Sequence, residues 1–201
     1  MKEPWIDTTE ICRKCDRHCC GTFSGRGPDI TMRDAKAISR KTGMRPHEFA
    51  AIEQVFEIAE WLKGISYVER DIQRWIYETQ IAYKLHLKIE GGSCIFYDKK
   101  SGLCKVHSAK PFVCKCYPAF HVVLKHVDFY KACPAWKHVR DGLKEGKLEA
   151  VLRDRCDTNF AEAAASFNRL MRVYFEKYHE KAAKKGFDKV RDSVIDEAVS
   201  D

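Results

Sequence analysis

The sequence predicts an α+β fold that is mainly helical: a small cysteine-rich core with a short β-hairpin, followed by a helical C-terminal part. Three observations predict it. Phe160, Ala163, Ala164, Phe167, Leu170, Met171, Tyr174 and Tyr178 recur at helical spacing. Tyr83, Leu85, Leu87 and Ile89 alternate with Lys84, His86, Lys88 and Glu90, the period of a half-buried strand. Ten cysteines stand in groups: Cys12-Arg-Lys-Cys15-Asp-Arg-His18-Cys19-Cys20, then Cys94, Cys104, Cys114, Cys116 and Cys133, with Cys156 apart.

The segment to about Pro28 is polar and Gly-rich and reads as a loop around its cysteines. Thr31 and Asp34 form a capping-box pattern that opens a helix to Lys41, stopped at Gly43. Pro46 suits a first helical turn, and Phe49, Ile52, Phe56, Ala59 and Leu62 continue at helical spacing to Gly64. Val68 to Gln80 predicts a third helix, with Ile72, Trp75, Ile76 and Thr79 on one side; Trp61 and Trp75 read as core residues.

After the alternating strand and Gly91-Gly92, Cys94-Ile-Phe-Tyr97 reads as its hairpin neighbour and Lys99 to Gly102 as a turn. Val106 to Phe120, broken by Pro111 and Pro118, is compact and irregular. His121 to Leu124 and Val127 to Tyr130 are candidate strands. Helices are expected over Trp136 to Glu145, Leu148 to Arg153 and Asn159 to Lys184, the last ended by Gly186. Phe187, Val190, Val194, Ile195 and Ala198 make a final one. No internal repeat or low-complexity linker stands out. These patterns divide the chain into a cysteine-bearing domain, 1–135, and a helical extension, 136–201, packing on it or on a partner.

At 201 residues and 23.3 kDa, with 45% hydrophobic residues, the chain can bury a real core without help from a metal. No apolar run reaches the ~18 residues of a transmembrane helix, and Met-Lys-Glu-Pro-Trp-Ile-Asp lacks a signal-peptide core. A cytoplasmic location is expected, where thiols stay reduced, and no membrane partner. The net charge of +7 is spread among carboxylates. The basic C-terminal residues (Arg169, Arg172, Lys177, Lys181, Lys184, Lys185, Lys189 and Arg191) read as a solvated helix face rather than a nucleic-acid surface.

Close-set cysteines mean metal, disulfides or thiol redox chemistry. The reducing compartment and the strained ring that vicinal Cys19 and Cys20 would form weigh against disulfides. Metal fits the spacing. A tetrahedral zinc site takes four ligands, and an iron–sulfur cubane takes one thiolate per iron. Cys12-x-x-Cys15 can place two sulfurs on one centre. Cys94, Cys104 and Cys114, about ten residues apart, bring ligands from successive loops, and Cys133-Pro134 is an ending found in some cluster-binding proteins.

These spaced motifs together resemble the YkgJ-type CxxCxxCC cysteine-cluster proteins, described as zinc- or iron-chelating. The resemblance covers the Cys12/Cys15/Cys19/Cys20 group, Asp29-Ile-Thr-Met-Arg-Asp34, Thr42-Gly43 with Phe49, Gly92-Ser-Cys94-Ile-Phe and Gly102-Leu-Cys104-Lys-Val-His. It closes with Lys110-Pro111-Phe-Val-Cys114-Lys-Cys-Tyr117-Pro118 and Cys133-Pro134, spanning roughly residues 10 to 135. It implies a metal-ligand set of Cys12, Cys15, Cys19, Cys20, Cys94, Cys104, Cys114 and Cys133. Those eight suffice for one or two 4Fe-4S clusters or two zinc ions. The family motif leaves two residues before its Cys-Cys pair and this chain three, so either one residue is inserted or His18 takes the third ligand position. His107, at Cys104-x-x-His107, is a nitrogen donor or else a surface or second-layer residue. Cys116 and Cys156 read as inert thiols.

Structural zinc sites commonly pair Cys-x-x-Cys knuckles, and this chain has one, so iron–sulfur is favoured over zinc. The chain is therefore expected to be a cytosolic iron–sulfur protein, a redox or accessory factor that meets a partner enzyme through its helical C-terminal part, and not an enzyme on its own. One alternative is a structural-zinc interaction module. Another is a cluster-dependent methyltransferase, since flagellin lysine N-methylase carries a similar domain; this chain is shorter, and its Gly25-Arg-Gly27 follows no apolar strand. There is no phosphate-binding P-loop, His-Glu-x-x-His or Gly-x-Ser-x-Gly motif.

Overall fold

The computed structural model describes residues 10, 11, 14, 27–55, 68–116, 135 and 147–200, the side chains of 116 and 147–159 excepted. Within them the fold is mainly helical with small antiparallel hairpins, the α+β class that the sequence predicts. In chain order the elements are α1 (Met32–Thr42), α2 (Pro46–Phe49), β1 (Ala50–Gln54), α3 (Arg70–Thr79) and β2 (Tyr83–Leu87). The short strands β3 (Ile89–Glu90), β4 (Ser93–Cys94), β5 (Tyr97–Asp98) and β6 (Leu103–Cys104) follow, then α4 (Phe112–Cys116). The C-terminal part holds α5 (Lys147–Val173), a π turn (Tyr174–Tyr178), α6 (His179–Lys185) and α7 (Arg191–Ser200). The chain forms two compact units, Met1–Pro28 with Ile89–Phe160, and Asp29–Lys88 with Ala161–Asp201.

The second unit is built on conventional helix chemistry. The Thr31 hydroxyl accepts the Asp34 N–H at 3.1 Å, and the Asp34 carboxylate accepts the Thr31 N–H at 3.1 Å, the predicted capping box. Gly43 closes α1 with φ 73°. Met32, Ala35 and Ile38 turn inward from α1, and Ile72 and Ile76 from α3. Trp75, half-buried, lies 5.2 Å from the Phe175 ring. From α5 come Phe167, Leu170 and Met171, and from α7 Val194, Ile195 and Ala198, all buried. Phe160 and Ala163, the start of the predicted stripe, are exposed.

One helical reading is corrected. Phe49 ends α2, and Ala50 to Gln54 run as a strand antiparallel to β2, with Ile52 opposite Leu85 and Ala50 opposite Leu87. A strand as well patterned as Tyr83–Leu87 leaves backbone donors and acceptors to satisfy, and β1 satisfies them. Ile52 suits either period, so its spacing did not discriminate; pairing did. The Ile30 N–H reaches Leu85 O at 3.0 Å, and Val55 N–H reaches Ala82 O at 2.8 Å.

The C-terminal helices are tied to residues 29–88 by contacts distant in sequence. Ser166 Oγ accepts the Met32 N–H at 2.9 Å, and Asn168 Oδ1 the Glu69 N–H at 3.2 Å. Asp196 takes both the His47 N–H at 3.0 Å and the His47 Nδ1 at 2.7 Å, so that a carboxylate on α7 supplies the first turn of α2 with the partner its own N-cap, Arg45, lacks. Leu148 to Arg153 belongs to α5 itself. No Gly or Pro separates Arg153 from Asn159, so nothing stops the helix there.

In the cysteine-bearing unit the single predicted hairpin becomes two. Ile89 and Glu90 pair with Cys94 and Ser93 across Gly91-Gly92. Tyr97 and Asp98 pair with Cys104 and Leu103 across Lys99 to Gly102. Phe96 is buried in the turn between them, where Cys94 to Tyr97 divides into the ends of two strands. His107–Ala109 forms a 3₁₀ turn. The candidate strands within 121–130, the helix over 136–145, the stretch from Phe56 to Gly64 with Trp61, and Gly25 lie outside the described residues.

Candidate metal centre

Cys94 and Cys104 occupy the same place in their hairpins, the second residue of the returning strand. Cys94 is 8% exposed and Cys104 half-buried; neither is in a disulfide. The turn before each ends in a glycine with positive φ, 76° at Gly92 and 67° at Gly102, a conformation that costs an L side chain about 1 kcal/mol. The second turn is also held by Asp98, whose carboxylate accepts the Lys100 N–H at 3.1 Å and the Ser101 hydroxyl at 2.6 Å. These bonds keep the Asp98 carboxyl below the usual carboxylate range.

The surroundings of both sulfurs pull in two directions. Burial pushes the Cys94 thiol up; the Phe96 N–H, hydrogen-bonded to it, pulls it down, and the Cys104 charge raises it again. Burial likewise lifts Cys104, against the Val106 N–H and the Lys110 ammonium. The net direction is upward for both.

Cys114 is half-buried on α4. His107 is exposed, and Lys110 Nζ lies 3.3 Å from its Nε2. Cys12, Cys15, His18, Cys19, Cys20 and Cys133 lie outside the described residues, as do the side chains of Cys116 and Cys156. Among the described residues, no three Cys, His, Asp or Glu side chains are grouped to hold a metal ion. Of the eight predicted ligands, Cys94, Cys104 and Cys114 are among the described residues, and the first two stand on hairpins joined by a Lys105 N–H to Phe96 O bond of 2.8 Å.

Sequence reasoning missed the groups that support these two: the Phe96 and Val106 amides and Lys110. A signal was available in the shared pattern Gly-x-Cys-x-apolar at Gly92 and at Gly102.

All ten cysteines fall in one compact unit, Met1–Pro28 with Ile89–Phe160; the other has none. That same unit holds 18 of the 36 Lys and Arg but 12 of the 29 Asp and Glu, an excess of six cations. The predicted donor set is soft sulfur, which fits a thiolate-bound zinc or iron centre and not a hard, oxygen-seeking cation.

Comparison with known proteins agrees. No curated protein and no solved structure matches the chain. A family model described as "Putative zinc- or iron-chelating domain" matches residues 11–136, more than half the chain. It takes in every cysteine but Cys156. The chain belongs to the CxxCxxCC family of zinc- or iron-chelating domains.

Proposed function

We propose that this metal-binding protein carries an iron–sulfur centre, 4Fe-4S in type, and serves a partner enzyme as a redox or accessory factor. The ligands in this reading are Cys12, Cys15, Cys19, Cys20, Cys94, Cys104, Cys114 and Cys133, and the helical C-terminal part meets the partner. The observation that carries the reading is the gathering of all ten cysteines, with an excess of cations, into one unit. Thiolate-held centres are net anionic, and surrounding Lys and Arg offset that charge. Iron is favoured over zinc because the chain has one Cys-x-x-Cys and draws its remaining sulfurs from separate turns. The reading requires a compartment that keeps thiols reduced. No helix among the described residues is long and apolar enough to cross a membrane.

Structural zinc is the second reading, supported by the family description, which names both metals. Anaerobic purification with iron, zinc and inorganic sulfide analysis, followed by EPR of the reduced protein, separates the two. Iron and sulfide in equal amounts with a cluster signal are expected. Stoichiometric zinc without iron overturns the iron–sulfur reading and leaves the zinc one.

A further inference from the structure

We infer that Cys94 and Cys104 ligate the same metal centre as a pair, presented by two tandem copies of one hairpin-and-turn device. The inference rests on the cysteine–metal reading above and adds a ligand grouping to it.

The copies are Gly92-Ser-Cys94-Ile-Phe96 and Gly102-Leu-Cys104-Lys-Val106. In each, a glycine with positive φ returns the chain two residues before the cysteine. In each, the cysteine ends a two-residue strand and a turn follows at once. The residue two beyond the cysteine is apolar and sealed in the interior, Phe96 at 4% and Val106 at 1% exposed. Glycine, cysteine and buried anchor thus recur at a ten-residue interval.

The copies are joined. The Lys105 N–H, one residue past Cys104, donates to Phe96 O, two residues past Cys94, at 2.8 Å. That bond fastens the turn of the second cysteine to the turn of the first. Two thiols at the same position of two hairpins that are joined in this way suit two thiolates held on one centre. Cys114 does not repeat the pattern: it lies on α4 with no glycine two residues before it.

The test is made on the intact, metal-loaded chain. Metal equivalents are measured in wild type, Cys94→Ser, Cys104→Ser and the double variant, with far-UV circular dichroism to confirm folding. Each single variant is expected to lose the same number of equivalents, and the double variant no more than either. A double variant that loses the sum of two separate losses overturns the pairing. Where a variant does not fold, wild-type protein is titrated with EDTA, alkylated with iodoacetamide and mapped by mass spectrometry. Cys94 and Cys104 are then expected to become reactive at one midpoint. If they deprotect at separate midpoints, or are reactive while the metal is fully retained, the pairing falls and the metal reading stands. Wild-type protein that holds no metal at all overturns the metal reading itself.

Discussion

Asp29–Lys88 with Ala161–Asp201 caps α1 with the Thr31 side chain and buries Ile38, Phe49, Ile76, Leu170, Met171 and Ile195 almost completely. Residues 89–116 of the cysteine-bearing unit run through strands of two residues, joined by turns. Strands that short do not hold together by ladder bonds alone. The contrast separates two sources of order along one chain. One unit is held by apolar burial; the other is expected to lean on the metal its sulfurs are proposed to bind.

Metal removal is the strongest way to break that contrast. Chelation of the loaded protein is expected to strip hydrogen-exchange protection from the amides of 89–116, on the scale of the ~10 kcal/mol or more that a structural metal supplies. The amides of 29–55 and 161–200 are expected to keep theirs. Equal loss in both sets would erase the distinction.

Phe49→Ala attacks the other side. Phe49 is fully buried, and its truncation is expected to lower unfolding free energy by about 3–5 kcal/mol in urea denaturation, with metal content per folded molecule unchanged. Metal loss in step with stability would show that the two sources are not separate.

The smallest effect is a pH dependence confined to the helical unit. The Tyr178 hydroxyl donates to Glu197 Oε2 at 2.7 Å, and this bond to a carboxylate, with partial burial, pushes its pKa up to about 12. A group raised in the fold stabilises it fully below its ordinary value, about 10 for tyrosine, and that stability is lost as pH rises from there toward 12. Thermal unfolding is expected to show the decline in wild type and less of it in Tyr178→Phe; an unchanged profile in the variant would assign the decline elsewhere.

Much of the helical unit was legible because local chemistry and tertiary packing agree there. Thr31 with Asp34, Gly43, and the inward series Ile72 and Ile76 each carry a signal within a turn or two. Ile52 misled because one apolar residue satisfies both periods, and only its distant partner Leu85 decides between them. The cysteine unit was legible in its residue types and not in its geometry. The amides of Phe96 and Val106 that support the sulfurs leave no mark on side-chain identity, and the recurrence of Gly-x-Cys-x-apolar is visible once the two hairpins are seen as one device used twice.

The interleaving of the two units has a consequence for assembly. Residues 29–88 must find 161–201 across the 72 residues of 89–160, and bonds such as Met32 N–H to Ser166 Oγ close only after that search. Closing a free loop of that length costs roughly 4 kcal/mol in chain entropy, and a loop of about ten free residues roughly half as much. A metal that gathers the intervening cysteines shortens the free chain before the helices dock. Refolding of the helical unit is then expected to run faster with metal present from the start than with metal added afterwards, a difference stopped-flow circular dichroism resolves. A positive result would mean that the centre acts on a fold that contains none of its proposed ligands, by setting how far the two halves of that fold must search.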